Sequence, residues 1–292
     1  EPGLTVAGQE EEGDFRNQTE RTTIAASNKR EPQMKDMSVL LVGLALTLGC
    51  DVRNDAAYKH GETALAKRDY RKAVSYFTEA IRSNPRNVDA YHNRGLACEE
   101  LGRFDEAVAD QSTAIALSPT LSAAYLSRGI AEAKRGNLDR AIEDVTAAIR
   151  LNPRDALAYH NRALAYWLKG DNDHTIADET EALRLDPTNA KMYCTRALAY
   201  MKQGNAEQAL SDYSRAIEIN PRLAEACQGR GVARAKQGDL DGAIANFTSA
   251  IEIHPQDGSA YFNRARAYEQ KGDRLKAERD YKEARRLGHG NT

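Results

Sequence analysis

Six histidines and four cysteines carry the side chains that most often do chemistry, and their spacing limits what is open to them. Cys50, Cys98, Cys194 and Cys227 have neither a C-x-x-C spacing nor the close partners of a tetrahedral metal site. They argue neither for zinc nor for a disulfide scaffold, although a bridge between Cys194 and Cys227 is conceivable. His92 and His160 stand far apart in the chain, and His174 falls among Asp171, Asn172 and Asp173, the composition of a solvated turn. No phosphate-cradling glycine loop, nucleophile elbow or H-E-x-x-H is present. An enzyme is therefore not expected, nor a cofactor or a metal.

A second group of residues recurs. The sequence reads YHNRG from Tyr91 and YHNRA from Tyr159, and arginine returns as Arg94, Arg128, Arg162, Arg196, Arg230 and Arg264. Sixteen residues after each stands Asp110, Asp144, Asp178, Asp212, Asn246 or Asp280. A planar guanidinium holds a carboxylate through two parallel hydrogen bonds, and a half-buried charge needs such a partner. Structural ion pairs are the expectation. A ladder of arginines for an anionic ligand is the alternative, disfavoured because matched aspartates would neutralise it.

Such pairs must be positioned by a repeating element. Prolines fall at Pro85, Pro119, Pro153, Pro187, Pro221 and Pro255, each 34 residues after the last. Alanines keep the same beat from Ala80 to Ala284, and glycines from Gly102 to Gly272. Placing proline at position 32 starts repeats at Asn54, Val88, Ser122, Ala156, Ala190, Ala224 and Gly258. Positions 4, 7, 8 and 11 have the spacing of one helical face, as do positions 17, 20, 21, 24, 27 and 28, with a glycine between them at position 15. Each repeat thus predicts two helices, A and B, with proline ending the second. The recurrent arginine is position 7 and the recurrent aspartate position 23. Repeat one lacks both, with His60 and Tyr76 in their places.

This pattern resembles the tetratricopeptide repeat (TPR) family over residues 54–289. The resemblance implies an all-α, right-handed αα superhelical solenoid of about seven 34-residue helix-turn-helix repeats. It also implies a non-catalytic protein-protein interaction scaffold that binds a peptide or helix of a partner in a concave groove lined by helix A. The family's groove positions 2, 5, 9, 12 and 13 fall here on Leu126, Ile130, His160, Leu164, Trp167, Leu168, Cys194, Leu198, Met201 and Val232. Trp167 reads equally well as an anchor for the partner or as packing against the next helix A. TPR domains that clamp chaperone C-terminal carboxylates place Lys and Asn at set positions of three successive repeats, and no three repeats here match.

The array is expected to end at repeat seven, where Glu278 and Arg285 replace residues apolar in earlier repeats, leaving 290–292 as a tail. In repeat four, Thr175 replaces a small alanine and Glu179 an aromatic residue. These substitutions are expected to cost local packing on the order of 1 kcal/mol. Glu179 would bend to solvent or pair with an arginine; a hinge or a partner contact is the alternative.

Residues 34–50, MKDMSVLLVGLALTLGC, resemble a bacterial lipoprotein signal. The apolar stretch is shorter than the ~20 residues needed to span a bilayer. That resemblance implies lipidation at Cys50 and a membrane tether facing the periplasm. The alternatives are an N-terminal helix docked on repeat one and a cytoplasmic adaptor, or a co-chaperone-like protein. Residues 1–33 are polar, acidic and without periodicity, hence expected to be disordered. A start at Met34 or Met37 would make them upstream or non-native sequence. Both signs of charge are interleaved and the net charge is −2, so no field exists to draw nucleic acid. The expected partner is a protein, not nucleic acid or a small-molecule substrate.

Overall fold

The computed structural model describes residues 56–289. The expectations for 1–33, for the signal-like segment with Cys50, and for the tail 290–292 lie outside them. The regular elements among the described residues are all helices, and they fall into two compact units, 56–137 and 138–289.

In the N-terminal unit the helices are α1 (Ala56–Ala66), α2 (Tyr70–Ser83), α3 (Val88–Glu100), α4 (Phe104–Leu117) and α5 (Ser122–Lys134). The C-terminal unit holds α6 (Leu138–Leu151), α7 (Ala156–Lys169), α8 (Asn172–Leu185), α9 (Ala190–Lys202) and α10 (Ala206–Ile219). It continues with α11 (Ala224–Lys236), α12 (Leu240–Ile253), α13 (Gly258–Gln270) and α14 (Arg274–Arg286). Odd-numbered helices are A and even-numbered ones B. Within each unit every helix packs on its neighbours in sequence, and each helix A also touches the next helix A. That is the packing of a TPR solenoid.

The helix boundaries follow from local chemistry. Most helices open on an Asp or Asn side chain that accepts an otherwise orphaned backbone N–H, as Asn87 does from Ala90 and Asp171 from His174. Helix A closes at position 15, where the chain turns through the left-handed region, with Gly170 at φ 81°. Repeat one has Arg68 there, at φ 58°, a backbone state that costs a residue with a Cβ. Between the helices the core is lined by small residues. Ala73, Ala80 and Ala90 are fully buried around Phe77 in the N-terminal unit, and Ala209 and Ala216 around Tyr213 in the C-terminal one. A core of alanines lets helix axes approach closely, and a larger buried side chain at position 24, an aromatic ring in Phe77, Tyr213 and Phe247 but Gln111, Val145 and Glu179 in repeats two to four, fills the remaining space.

Candidate partner-binding face

The recurrent arginines are held in place at every turn. Arg196 Nε donates to Asp212 Oδ2 at 2.8 Å and Nη2 to Oδ1 at 2.7 Å. Arg94 with Asp110, Arg162 with Asp178 and Arg264 with Asp280 make the same two-pronged contact. Arg128 belongs to one unit and Asp144 to the other. Each aspartate's hydrogen bonds raise its arginine above the ordinary guanidinium value against the opposing effect of burial. In repeat six Arg230 Nε reaches Asn246 Oδ1 at 2.8 Å, and burial, reinforced by Arg234, pulls Arg230 down instead.

Two further contacts complete the arrangement, neither of them anticipated from the sequence. Nη1 of each arginine donates to a hydroxyl on helix B of the preceding repeat. The acceptors are Thr78, Ser112, Thr146, Thr180, Ser214 and Thr248. Five of the guanidiniums also lie 5.7 or 5.8 Å from the ring of the tyrosine at position 4, as Arg196 does over Tyr193. The signal was present: Ser or Thr occupies position 25 in each repeat that precedes an arginine. Where both helices of the repeat lie in one unit, the guanidinium therefore ties them to the repeat before it. Where repeat one lacks the pair, the rings of His60 and Tyr76 meet at 5.3 Å instead.

The residues assigned to the groove divide by burial. Trp167 is only 7% exposed and Cys194 8%, so both rest mainly in the packing of the C-terminal unit. Leu164, Leu168, Leu198, Met201 and Val232 are half-buried, and so is His160. Leu126 and Ile130 are half-buried in the N-terminal unit. The helix-A face of each unit thus keeps a partly open apolar stripe. Cys98, Cys194 and Cys227 are buried free thiols, and burial pushes each up from its ordinary value. Among the described residues no group of histidine, cysteine and carboxylate side chains is placed to hold a metal ion.

Repeat four corrects one expectation. Glu179 neither bends to solvent nor pairs with an arginine. It is fully buried, with Oε1 2.7 Å from His160 Nδ1 and with Oε2 lacking any hydrogen-bond partner. Thr175 is also fully buried, and its hydroxyl donates to the Asp171 carbonyl at 2.7 Å. The bond satisfies the hydroxyl, which is what a buried polar group requires. Position 24 faces position 5 across the repeat. His92 and Gln111 repeat the arrangement in repeat two, a correspondence open to sequence inspection.

Comparison with known proteins agrees with this architecture. Tetratricopeptide-repeat family models match residues 58–122, 156–189, 190–223 and 258–287, and a further TPR model matches 129–170 and 231–272. The chain belongs to the tetratricopeptide-repeat proteins. It is similar to human DnaJ homolog subfamily C member 7, at 42% identity over 52 residues, 18% of this chain and 10% of that protein. The chain therefore spans only about a tenth of that relative. Among solved structures it resembles a tetratricopeptide repeat protein from Parabacteroides merdae (TM-score 0.63, 18% identity, 80% of this chain and 93% of that one). YrrB, described as a TPR protein with an unusual peptide-binding site, is also similar (TM-score 0.53, 20% identity, 63% of this chain and 95% of that one). At these identities the two structures speak to the fold.

Proposed function

We propose that the chain is a non-catalytic scaffold that binds a segment of a partner protein along helix A. The observation that carries this is the half-buried apolar stripe of Leu164, Leu168, Leu198, Met201 and Val232 in the C-terminal unit. Apolar side chains on adjacent helices, held at fixed spacing by the arginine ties, gain by covering themselves with apolar side chains of a partner. YrrB, on the same fold, is described by its peptide-binding site. A photo-crosslinking amino acid at Leu164 should trap one discrete adduct in the native host, and the same group at the exposed Glu252 on α12 should not. Equal labelling at both positions refutes the reading.

The lipoprotein tether is a second proposal. It rests on the apolar run Val39 to Gly49 closed by Cys50, with the scaffold then displayed on the periplasmic face of a bacterial membrane. No helix among the described residues is long and apolar enough to cross a membrane. Intact mass of the membrane-bound protein tests the tether. A chain beginning at Cys50 with added acyl mass supports it, and one retaining residues 34–49 refutes it.

A further inference from the structure

The two histidines at position 5 have different partners, and the partner decides what each ring presents. In repeat two, His92 Nδ1 lies 2.8 Å from Gln111 Oε1. Gln111 Nε2 donates to the backbone carbonyl of His92 at 3.0 Å, which fixes the amide with its oxygen toward the ring. An amide oxygen only accepts, so Nδ1 carries the hydrogen. Burial holds His92 below its ordinary value and keeps the ring neutral. Its Nε2 is left with a lone pair and can only accept.

Repeat four inverts this. The group facing His160 Nδ1 is a carboxyl, fully buried on α8, with one oxygen on the ring at 2.7 Å and the other unpartnered. Burial pushes Glu179 up from its ordinary value; His160 on α7 and Arg196 on α9 oppose this, and Asp178 on α8 adds to it. A lone carboxylate in such a place is costly, so the pair keeps one proton. A proton on Glu179 Oε2 would bury an O–H with no acceptor, which leaves two placements. If the carboxyl holds it and donates to Nδ1, the neutral ring takes the tautomer with hydrogen on Nε2. If the ring holds it, the imidazolium carries hydrogen on both nitrogens. His160 Nε2 bears a hydrogen in either case. Among the described residues no group bonds that nitrogen, and the side chain is 15% exposed.

We propose that His160 Nε2 is a directed hydrogen-bond donor on the helix-A face of the C-terminal unit, and that the bound segment places a glutamate or aspartate side chain on it. This rests on the scaffold reading above and names the partner's chemistry. Charge on the same helix-A positions fits an acidic segment. Lys191, Lys202, Lys236 and Arg266 stand there against Glu225 and Glu269. The N-terminal unit has Glu62, Asp89, Glu99 and Glu100 at those positions against the single Lys134, which pairs with Glu99, beside a histidine that only accepts. A carboxylate is thus matched to His160 by both hydrogen-bond polarity and charge.

The test uses the full chain and two pools of twelve-residue peptides. Both pools are acetylated and amidated and randomised over Leu, Met, Ala and Ser. One has a fixed central Glu and the other a fixed central Gln. The wild type should bind the Glu pool about tenfold more tightly, the least expected of one charge-assisted bond. Glu179→Gln installs at repeat four the pair already present at repeat two, and should bring the two pools to within about twofold. Equal binding of the pools by the wild type, or a preference that survives Glu179→Gln, overturns the carboxylate inference and leaves the scaffold reading standing. Failure of both pools, and of a third pool with free C-termini, to bind at all overturns the scaffold reading and this inference with it. Binding of the free-ended pool alone shows a terminal carboxylate as the occupant and overturns the side-chain assignment. Imidazole 15N spectra of the wild type give a second measurement that needs no variant. Nε2 should be protonated in His160 and bare in His92, and a bare Nε2 in His160 refutes the donor.

Discussion

Repeats five and six differ at position 23 by a carboxylate and its amide, so exchanging Asp212 and Asn246 weighs the charge at nearly constant shape. Asp212→Asn keeps an oxygen for Arg196 Nε but sets an NH2 against Arg196 Nη2, which now donates to Asp212 Oδ1 at 2.7 Å. The lost charge-assisted bond is worth about 1.5–3 kcal/mol. Part returns, because the amide can do what Asn246 Nδ2 does in repeat six, where it donates to the Gly242 carbonyl at 2.6 Å. A neutral bond of that kind recovers about 1 kcal/mol. Arg196 is 17% exposed, so water reaches the guanidinium and the loss stays below the 3–5 kcal/mol of a fully buried broken pair. The net expectation is a loss of about 1–2 kcal/mol. Repeat arrays open locally, so the assay is native-state hydrogen exchange at the amides of α9 and α10. Their opening equilibrium should rise about tenfold for 1.4 kcal/mol. Asn246→Asp should protect α11 and α12, because it supplies Arg230 with the carboxylate its siblings have. A change below about 0.5 kcal/mol in both variants, or a loss in both, refutes the view that charge pairing is what positions 7 and 23 contribute.

Three further outcomes are expected. Arg68→Gly relieves a Cβ in the left-handed region at φ 58° and should stabilise the N-terminal unit by about 1 kcal/mol, read as a higher Tm. Gly229→Ala drives a methyl into the ring of Tyr213, a fully buried neighbour, and should cost about 1–3 kcal/mol in urea unfolding. Glu179→Gln should become more stable relative to the wild type as pH rises. The Glu179 carboxyl is raised in the folded state, so its contribution is fully present below the ordinary value of 4.5 and is lost as pH climbs through the folded value. The glutamine does not titrate. Thermal melts of both proteins across pH 4.5 to 8 check the sign, and parallel curves would show that Glu179 keeps its ordinary value.

What the sequence could and could not show follows from which contacts stay within one repeat. Helix A, helix B and the turn between them are set by residues at most 34 apart, and seven copies printed in one chain expose every departure as a contrast. The partnership of Arg94 with Asp110 was legible for that reason: the two positions appear together and vanish together. The hydroxyl of Thr78 belongs to the preceding repeat. Serine or threonine on a helix reads as surface until a donor from the next repeat is known to reach it. Trp167 was undecidable for a related reason, since the same spacing places a residue on the face and between adjacent helices, and only the burial separates the two. Glu179 was misplaced because pairing with arginine is the common fate of a buried carboxylate, and the arginines of repeats four and five were already committed to Asp178 and Asp212. Once those pairs are counted, the partner within reach on the facing helix is His160. The same count leaves His160 Nε2 as a polar atom on the helix-A face with no partner inside the C-terminal unit, and so as the place where specificity for a bound segment has to be sought.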